Sequence, residues 1–331
     1  MPLGKGLSRS DWGLDHFNYT FMKIVFLDAA TMGADISFAP IERLGELILH
    51  GTSTPMEALE RVGDCEVLIV NKVKVTKELI DSAPCLRLIC EAATGVNNID
   101  LEYAASKGIP VRNVAGYSTD SVVQTTFMHI LALTGRSAYF DNAVKSGHYS
   151  GSGIFTDVTV PFRELAGKKM GIIGMGNIGM KVAKVAEAFG MEVSYFSTSG
   201  TSHCTEYPSL GLREIMSGSD VISVHAPYNE RTAGLVGAEQ LSWMKPTAVI
   251  VNMGRGGIVD EAALARAVDE GQIAGAALDV FTSEPLLLDS PLMKVSRKDR
   301  LVFSPHIAWA SVEARERLVD MIARNIEQGW Q

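Results

Sequence analysis

Three side chains and one glycine turn carry the chemistry that this sequence can do. His306 follows a strand pattern and a proline, in Ser304-Pro305-His306, and precedes a long helical pattern. An imidazole titrates near neutral pH and can pass a proton to or from an oxygen. Taken alone, such a histidine more often serves the local backbone. Glu284 stands in Phe281-Thr282-Ser283-Glu284-Pro285, just past another strand pattern. Beside an imidazole it would fix the tautomer and stabilise the protonated ring; by itself it reads as a solvated loop acid. Arg255 is flanked by Gly254, Gly256 and Gly257. Glycines let backbone and substrate come close, and a guanidinium there can grip a carboxylate through two parallel hydrogen bonds.

The glycine turn is Gly174-x-Gly176-x-x-Gly179. The pattern is weak alone, and its context makes it strong. Residues 170–173 read as a buried strand. Residues 177–189 read as a helix with Ile178, Val182, Val185, Ala186 and Phe189 on its apolar side and Gly190 as its stop; residues 191–196 read as a second strand. That is a βαβ unit of about 30 residues, the setting in which the pattern binds a dinucleotide. The first glycine permits the tight turn, the second lets a pyrophosphate approach, and the third lets helix and strand pack. A helix N-terminus then faces the phosphates. A further glycine turn, Gly95-Val96, follows the strand 86–90, and its N–H groups could hold a carboxylate, or be those of an ordinary turn. Of the other histidines, His225 ends a strand, and Ala226 and Pro227 beside it suggest a cofactor-lining turn. His129 lies mid-helix, His16 and His50 lie far from strand ends, and His148 and His203 fall in polar loops.

The elements around these residues alternate strand and helix along the chain, which argues for parallel sheets covered on both faces. Residues 41–49 and 55–62 read as helices leading to the strand 67–70. Residues 121–133 read as a helix opened by a Ser121–Gln124 capping box and apolar on most sides, hence buried or between domains. Residues 150–159 read as a surface loop, and 311–327 as a long closing helix. In open parallel sheets, ligands bind beyond the carboxyl ends of the strands, so the polar residues at the strand ends are expected to converge.

At 331 residues the chain is long for one core, and two domains are expected. A net charge of -8 argues against nucleic acid or an anionic membrane as the main partner. No apolar run reaches the ~18 residues of a membrane span. Residues 1–21 are polar, without an apolar segment of signal-peptide type, and read as a loose extension or an expression remnant, with an ordered arm packed on a partner subunit as the alternative. Cys65, Cys85, Cys90 and Cys204 form no C-x-x-C, and no histidine pair stands at ligand spacing. Reduced thiols in a cytoplasmic protein are expected, and no metal site.

Taken together, these motifs resemble the D-isomer-specific 2-hydroxyacid dehydrogenases over residues 22–327. The matching stretches are Ala93–Asp100, the glycine turn, Val251–Asp260, Leu278-Asp279-Val280-Phe281 with Glu284-Pro285, and Ser304-Pro305-His306. The resemblance implies an α/β protein of two doubly wound parallel-sheet domains: a Rossmann dinucleotide-binding domain (119–303) inserted into a flavodoxin-like substrate domain (22–118 and 304–331). It makes His306 the acid/base, Glu284 its partner and Arg255 the carboxylate anchor, all meeting in one cleft. Gly95, Val96 and Trp309 join Arg255 and His306 as substrate contacts, with a dimer contact as the alternative for Trp309. Cofactor contacts are implied at Gly174, Gly176, Asn177, Ile178, Gly179, Ser197, His225, Ala226, Pro227, Thr232, Asn252, Met253, Gly254, Arg255, Asp279, His306 and Ala308. A small 2-keto or 2-hydroxy acid as substrate and a homodimer built through the cofactor domains are also implied. Residues 113–119 and 306–310 look most like glycerate dehydrogenases, also called hydroxypyruvate reductases.

One departure bears on the cofactor. The carboxylate that grips the adenosine ribose stands about twenty residues past the glycine turn in NAD-dependent relatives. Ser197 occupies that place here, followed by Thr198, Ser199 and Gly200, with His203 but no Lys or Arg before Leu212. The reading leans to NAD(H), with NADP(H) as the alternative. Two other classes share the fold: an NADH-sensing corepressor of the C-terminal-binding-protein type, against which the lack of a long disordered tail counts, and an inactive structural relative, against which Arg255, Glu284 and His306 count.

Overall fold

The computed structural model describes residues 22–329; the extension expected over residues 1–21 lies outside them. Five short strands come first: β1 (Lys23–Phe26), β2 (Glu46–Leu49), β3 (Val67–Val70), β4 (Leu88–Glu91) and β5 (Val111–Arg112). They form one parallel sheet in the order β2-β1-β3-β4-β5. Every residue of β3 and β4 is buried, as strands covered on both faces require.

The expected helix over residues 41–49 is not formed. Only Ala39–Glu42 is helical, and Glu46–Leu49 is the edge strand β2. Gly45 makes the change possible, since a Cβ there would lie 2.1 Å from the carbonyl oxygen of Met22. The chain therefore comes alongside β1, and Glu46 N donates to Met22 O at 2.9 Å. Pairing with β1 outweighs a local spacing that suits either element.

Six more strands build a second parallel sheet: β6 (Lys169–Ile173), β7 (Glu192–Phe196), β8 (Val221–Val224), β9 (Val249–Asn252), β10 (Gly275–Leu278) and β11 (Leu301–Phe303). Their order is β11-β10-β9-β8-β6-β7. Beyond β7 a single parallel bridge joins Tyr195 and Ser209, with Tyr195 N donating to Pro208 O at 3.0 Å and Leu210 N to Tyr195 O at 2.9 Å. Counting that bridge as a rudimentary strand gives the strand order of a dinucleotide-binding sheet, with one strand added at the far edge. The chain leaves β6 on one side and returns to β8 on the other, so the topological switch point lies between them. Alternate residues feed two cores: Ile173 and Ile250 one, Met170, Ile172, Val249 and Val251 the other. The helix Thr119–Gly135 covers the second core with Val122, Phe127, Ile130 and Leu133.

The chain divides into two compact units, residues 22–113 with 319–329 around the first sheet, and Val114–Leu318 around the second. Residues 114–118 and 304–318, expected with the first sheet, thus group with the second. The reason is local: the residues after β11 are tied to Asp279 and Ser121 of that unit. Ser121 is not the capping residue that its spacing suggests. The helix begins at Thr119, and Ser121 Oγ donates to Ala308 O at 2.6 Å and accepts from Ser311 N at 3.2 Å. No described helix is long and apolar enough to cross a membrane.

Candidate active site

The turn after β6 sits at the switch point. Gly174 has φ +96°, and a Cβ on it would lie 2.8 Å from Ala226 N, in the turn after β8. A Cβ on Gly179 would lie 2.4 Å from Gly174 O. These two glycines permit packing that no side chain allows. Gly176 differs: no atom lies within 4 Å of where its Cβ would be, so its backbone is open. It leads into the helix Asn177–Ala188, whose first N–H groups are unpaired within the helix. The residues present therefore fit a pyrophosphate at this turn. A Cβ on Gly254 would lie 2.8 Å from Ala226 O, so the turns after β6, β8 and β9 meet around Ala226.

A pocket beside the glycine turn is lined by Gly174, Gly176, Ser197, Thr198, Thr201 and His203. Ser197 Oγ donates to Thr201 O at 2.6 Å and lies 3.1 Å from Ser199 Oγ. Into this loop comes a cation that the sequence reading missed: Arg231 Nη1 donates to Ser199 O at 2.5 Å. Arg231 lies well beyond the stretch 197–212, and no local signal marks it. Thr232, expected to touch cofactor, is wholly buried, and its side chain folds the loop that carries Arg231. Its Oγ1 donates to Pro227 O at 2.6 Å and accepts from Asn229 N at 2.9 Å. His225 Nε2 lies 2.8 Å from Ser223 Oγ, while its Nδ1 is enclosed and has no partner among the described residues. Burial pushes this imidazole down to about 3, so the ring is neutral.

The turn after β9 is shaped by Asn252, whose Nδ2 donates to Arg255 O and whose Oδ1 accepts from Gly254 N, each at 3.0 Å. Met253 is buried, and the side chain of Arg255 is exposed, with Nη1 donating to Gly254 O at 2.8 Å. A Cβ on Gly256 would lie 1.9 Å from Phe281 O, so the Arg255 turn lies directly on the backbone that leads to Glu284. Glu284 divides its carboxylate: Oε1 accepts from Phe281 N at 3.0 Å, and Oε2 lies 2.7 Å from His306 Nδ1.

His306 has φ +53°, a left-handed conformation uncommon for a side-chain-bearing residue. Asp279 holds it there. His306 N donates to Asp279 O at 2.8 Å, Ile307 N to Oδ1 and Ala308 N to Oδ2, both at 2.9 Å. Ser304 Oγ donates to Oδ1 at 2.5 Å and lies 3.1 Å from His129 Nε2. Because the hydroxyl proton goes to Asp279, His129 must donate to Ser304, which leaves its Nδ1 unprotonated; burial also lowers this ring's pKa. Asp279, expected as a cofactor contact, has both carboxylate oxygens engaged by the His306 loop. Ala308 is buried, and Trp309 packs edge-on against Tyr117, with centroids 6.3 Å apart.

In the first unit, Gly95 and Val96 are half-buried in the loop after β4, and their N–H groups make no hydrogen bond among the described residues. Asn113 Nδ2 donates to Thr94 O at 2.6 Å, and Asn98 ties the far end of the loop to Val73 and Glu91.

A doubly wound sheet with an open glycine turn at its switch point, and a histidine–carboxylate pair beyond its strands, defines a dinucleotide-dependent oxidoreductase. Comparison narrows this. Residues 127–308 match the family model described as D-isomer specific 2-hydroxyacid dehydrogenase, NAD binding domain. The chain is 35% identical to a hydroxypyruvate reductase of Blautia hydrogenotrophica, over 93% of this chain and 96% of that protein. It is 36% identical to a glycerate dehydrogenase of Methylorubrum extorquens, over 92% and 95%. The NADPH-dependent glyoxylate/hydroxypyruvate reductase of Sinorhizobium meliloti superposes with a TM-score of 0.78 at 27% identity, covering 92% of this chain and 93% of that one. The chain belongs to the D-isomer-specific 2-hydroxyacid dehydrogenase family.

Proposed function

We propose that this protein reduces a small 2-keto acid to its D-2-hydroxy acid, with hydroxypyruvate or glyoxylate as substrate. The observation that carries this reading is the 2.7 Å contact of His306 Nδ1 with Glu284, with the Arg255 turn packed against the same loop through Gly256. A bound nicotinamide dinucleotide supplies the hydride. Arg255 takes the substrate carboxylate. In the first unit, the amides of Gly95 and Val96, which make no hydrogen bond among the described residues, are themselves suited to a carboxylate oxygen. Protonated His306 donates from Nε2 to the keto oxygen, and Glu284 holds the ring in the required tautomer and stabilises its charge. The first unit serves as the substrate domain and the second as the dinucleotide domain.

For the cofactor, Arg231 shifts the reading from the slight lean to NAD(H) towards NADP(H). Its guanidinium lies on the 197–201 loop and could hold a 2′-phosphate, and Ser197 and Ser199 add hydroxyls in place of a repelling carboxylate. A second copy of this chain is the expected partner. Ile154, Phe155, Val158 and Phe162 are 63%, 90%, 80% and 63% exposed on one segment of the dinucleotide unit, an apolar surface that suits burial in a homodimer. Four free cysteines fit a cytoplasmic setting.

The test is steady-state reduction of hydroxypyruvate, glyoxylate and pyruvate with NADH and NADPH. Turnover of the first two by wild type, with kcat/KM for NADPH reduced ~10-fold or more in Arg231→Ala and that for NADH unchanged, supports both parts. No turnover of any 2-keto acid would sink the reaction; equal loss with both nucleotides would sink the assignment of Arg231.

A further inference from the structure

We propose that Glu91 is a positioning residue for the Gly95–Val96 loop: as an uncharged acid it anchors Asn98 and keeps that loop in shape, and its ionisation loosens the loop. The inference rests on the reading that these amides take the substrate carboxylate. Glu91 closes β4 and is fully buried. Its Oε2 accepts from Asn98 Nδ2 at 2.9 Å, while its Oε1 is enclosed and has no partner among the described residues. A carboxylate has about four lone-pair sites to satisfy. One accepted hydrogen bond in an enclosed space therefore suits the neutral acid. Burial pushes this carboxyl up to about 8.

The charged groups facing it are Asp28, beyond the end of β1, and Lys72, beyond the end of β3. Asp28 accepts three backbone N–H groups, from Asn71 at 2.9 Å, Lys72 at 2.5 Å and Val73 at 3.0 Å. It is solvated by the fold, so it carries the negative charge and discourages a second one on Glu91. Two buried carboxyls thus divide the roles: Asp28 clamps the 71–73 turn as an anion, and Glu91 anchors Asn98 as an acid. Asn98 joins the two, because its Nδ2 also donates to Val73 O at 3.1 Å. Ile99 N donates to Val96 O at 3.1 Å, so the anchored Asn98 leads directly into the turn that shapes Val96. An anion at Glu91 would keep its hydrogen bond from Asn98, which favours the charged form, but its enclosed Oε1 could be solvated only if Lys72 or water moved in, and that entry is what loosens the packing around Asn98.

The experiment measures KM for glyoxylate from pH 6 to pH 10 at saturating cofactor, for wild type and Glu91→Gln, which keeps shape but cannot ionise. Wild-type KM should rise ~5-fold or more above the titration of Glu91, while the rise is absent in E91Q and cofactor KM is unchanged in both. A wild-type KM that stays level across this range overturns the proposal without any variant. So does an alkaline rise of equal size in E91Q, which would place the titration elsewhere. In both cases a working 2-keto acid reductase remains; an enzyme that turns over no 2-keto acid instead removes the reading beneath the proposal.

Discussion

His306 Nδ1 lies 2.7 Å from Glu284 Oε2, which commits one ring nitrogen to the protein and leaves Nε2 for the reacting oxygen. General acid catalysis of this kind is worth ~10²–10⁴-fold. His306→Gln should lower kcat by that factor with little change in cofactor KM. Glu284→Gln keeps a hydrogen bond but loses the charge that stabilises the protonated ring, and should lower kcat less, by ~10-fold or more. Rapid mixing under single-turnover conditions checks both. A His306→Gln enzyme retaining more than a tenth of wild-type kcat is incompatible with the assignment.

Asp279 is 1% exposed and accepts from Ile307 N, Ala308 N and Ser304 Oγ. Asp279→Asn turns one acceptor into a donor facing a donor, which costs about 1–3 kcal/mol in a buried site. Thermal unfolding should shift down and kcat should fall as His306 leaves its left-handed conformation, while cofactor affinity by fluorescence titration stays within about twofold. The opposite pattern, intact stability with weakened cofactor binding, would return Asp279 to the role of a cofactor contact.

Gly256 is specified by contact, not by backbone conformation. A Cβ there would lie 1.9 Å from Phe281 O, and backbone cannot yield as a flexible side chain can. Gly256→Ala should push the Arg255 turn off residues 281–284, costing about 1–3 kcal/mol of stability as overpacking does. KM for the keto acid should rise ~10-fold or more, since misplacing a binding group by about an ångström can cost up to 10²-fold. Gly218 has no atom within 4 Å of its Cβ position and makes the control: Gly218→Ala should leave KM and melting temperature unchanged. If the two variants behave alike, close packing at Gly256 is not what positions Arg255.

What the sequence made legible was the chemistry bound to local pattern. The glycine turn, the Asn252–Gly257 stretch and Ser304-Pro305-His306 each carry their own punctuation, and the structure places them at strand ends as expected. Contacts made across long sequence distances were not legible. The strand Glu46–Leu49 depends on β1 for its pairing, and its short apolar spacing also suits a helix. Arg231 reaches Ser199 from a loop that Thr232 folds, 32 residues away. Ser121 and His129 read as a cap and a mid-helix histidine, yet both join Asp279 in holding the loop around His306. Residue type announces what a side chain can do, whereas its partner is decided by topology.

Glu91 allows a sharper check through stability, because its folded and unfolded forms release the proton at different pH. The ordinary value is 4.5, and burial raises it to about 8 in the folded protein. Between these limits the folded state keeps a proton that the unfolded state has lost. Stability from this group is therefore fully present below 4.5 and is lost as pH rises towards 8. At about 1.4 kcal/mol per pH unit, the loss amounts to a few kcal/mol. Glu91→Gln removes the ionisable group, so its advantage over wild type should grow with pH. Calorimetry at a series of pH values should show the two proteins melting alike near pH 5 and E91Q melting ~4–10 °C higher near pH 8. Other titrating groups are common to both proteins and cancel in the difference. A gap that does not vary with pH would mean that Glu91 is ionised in the fold throughout, with a cation at its enclosed oxygen.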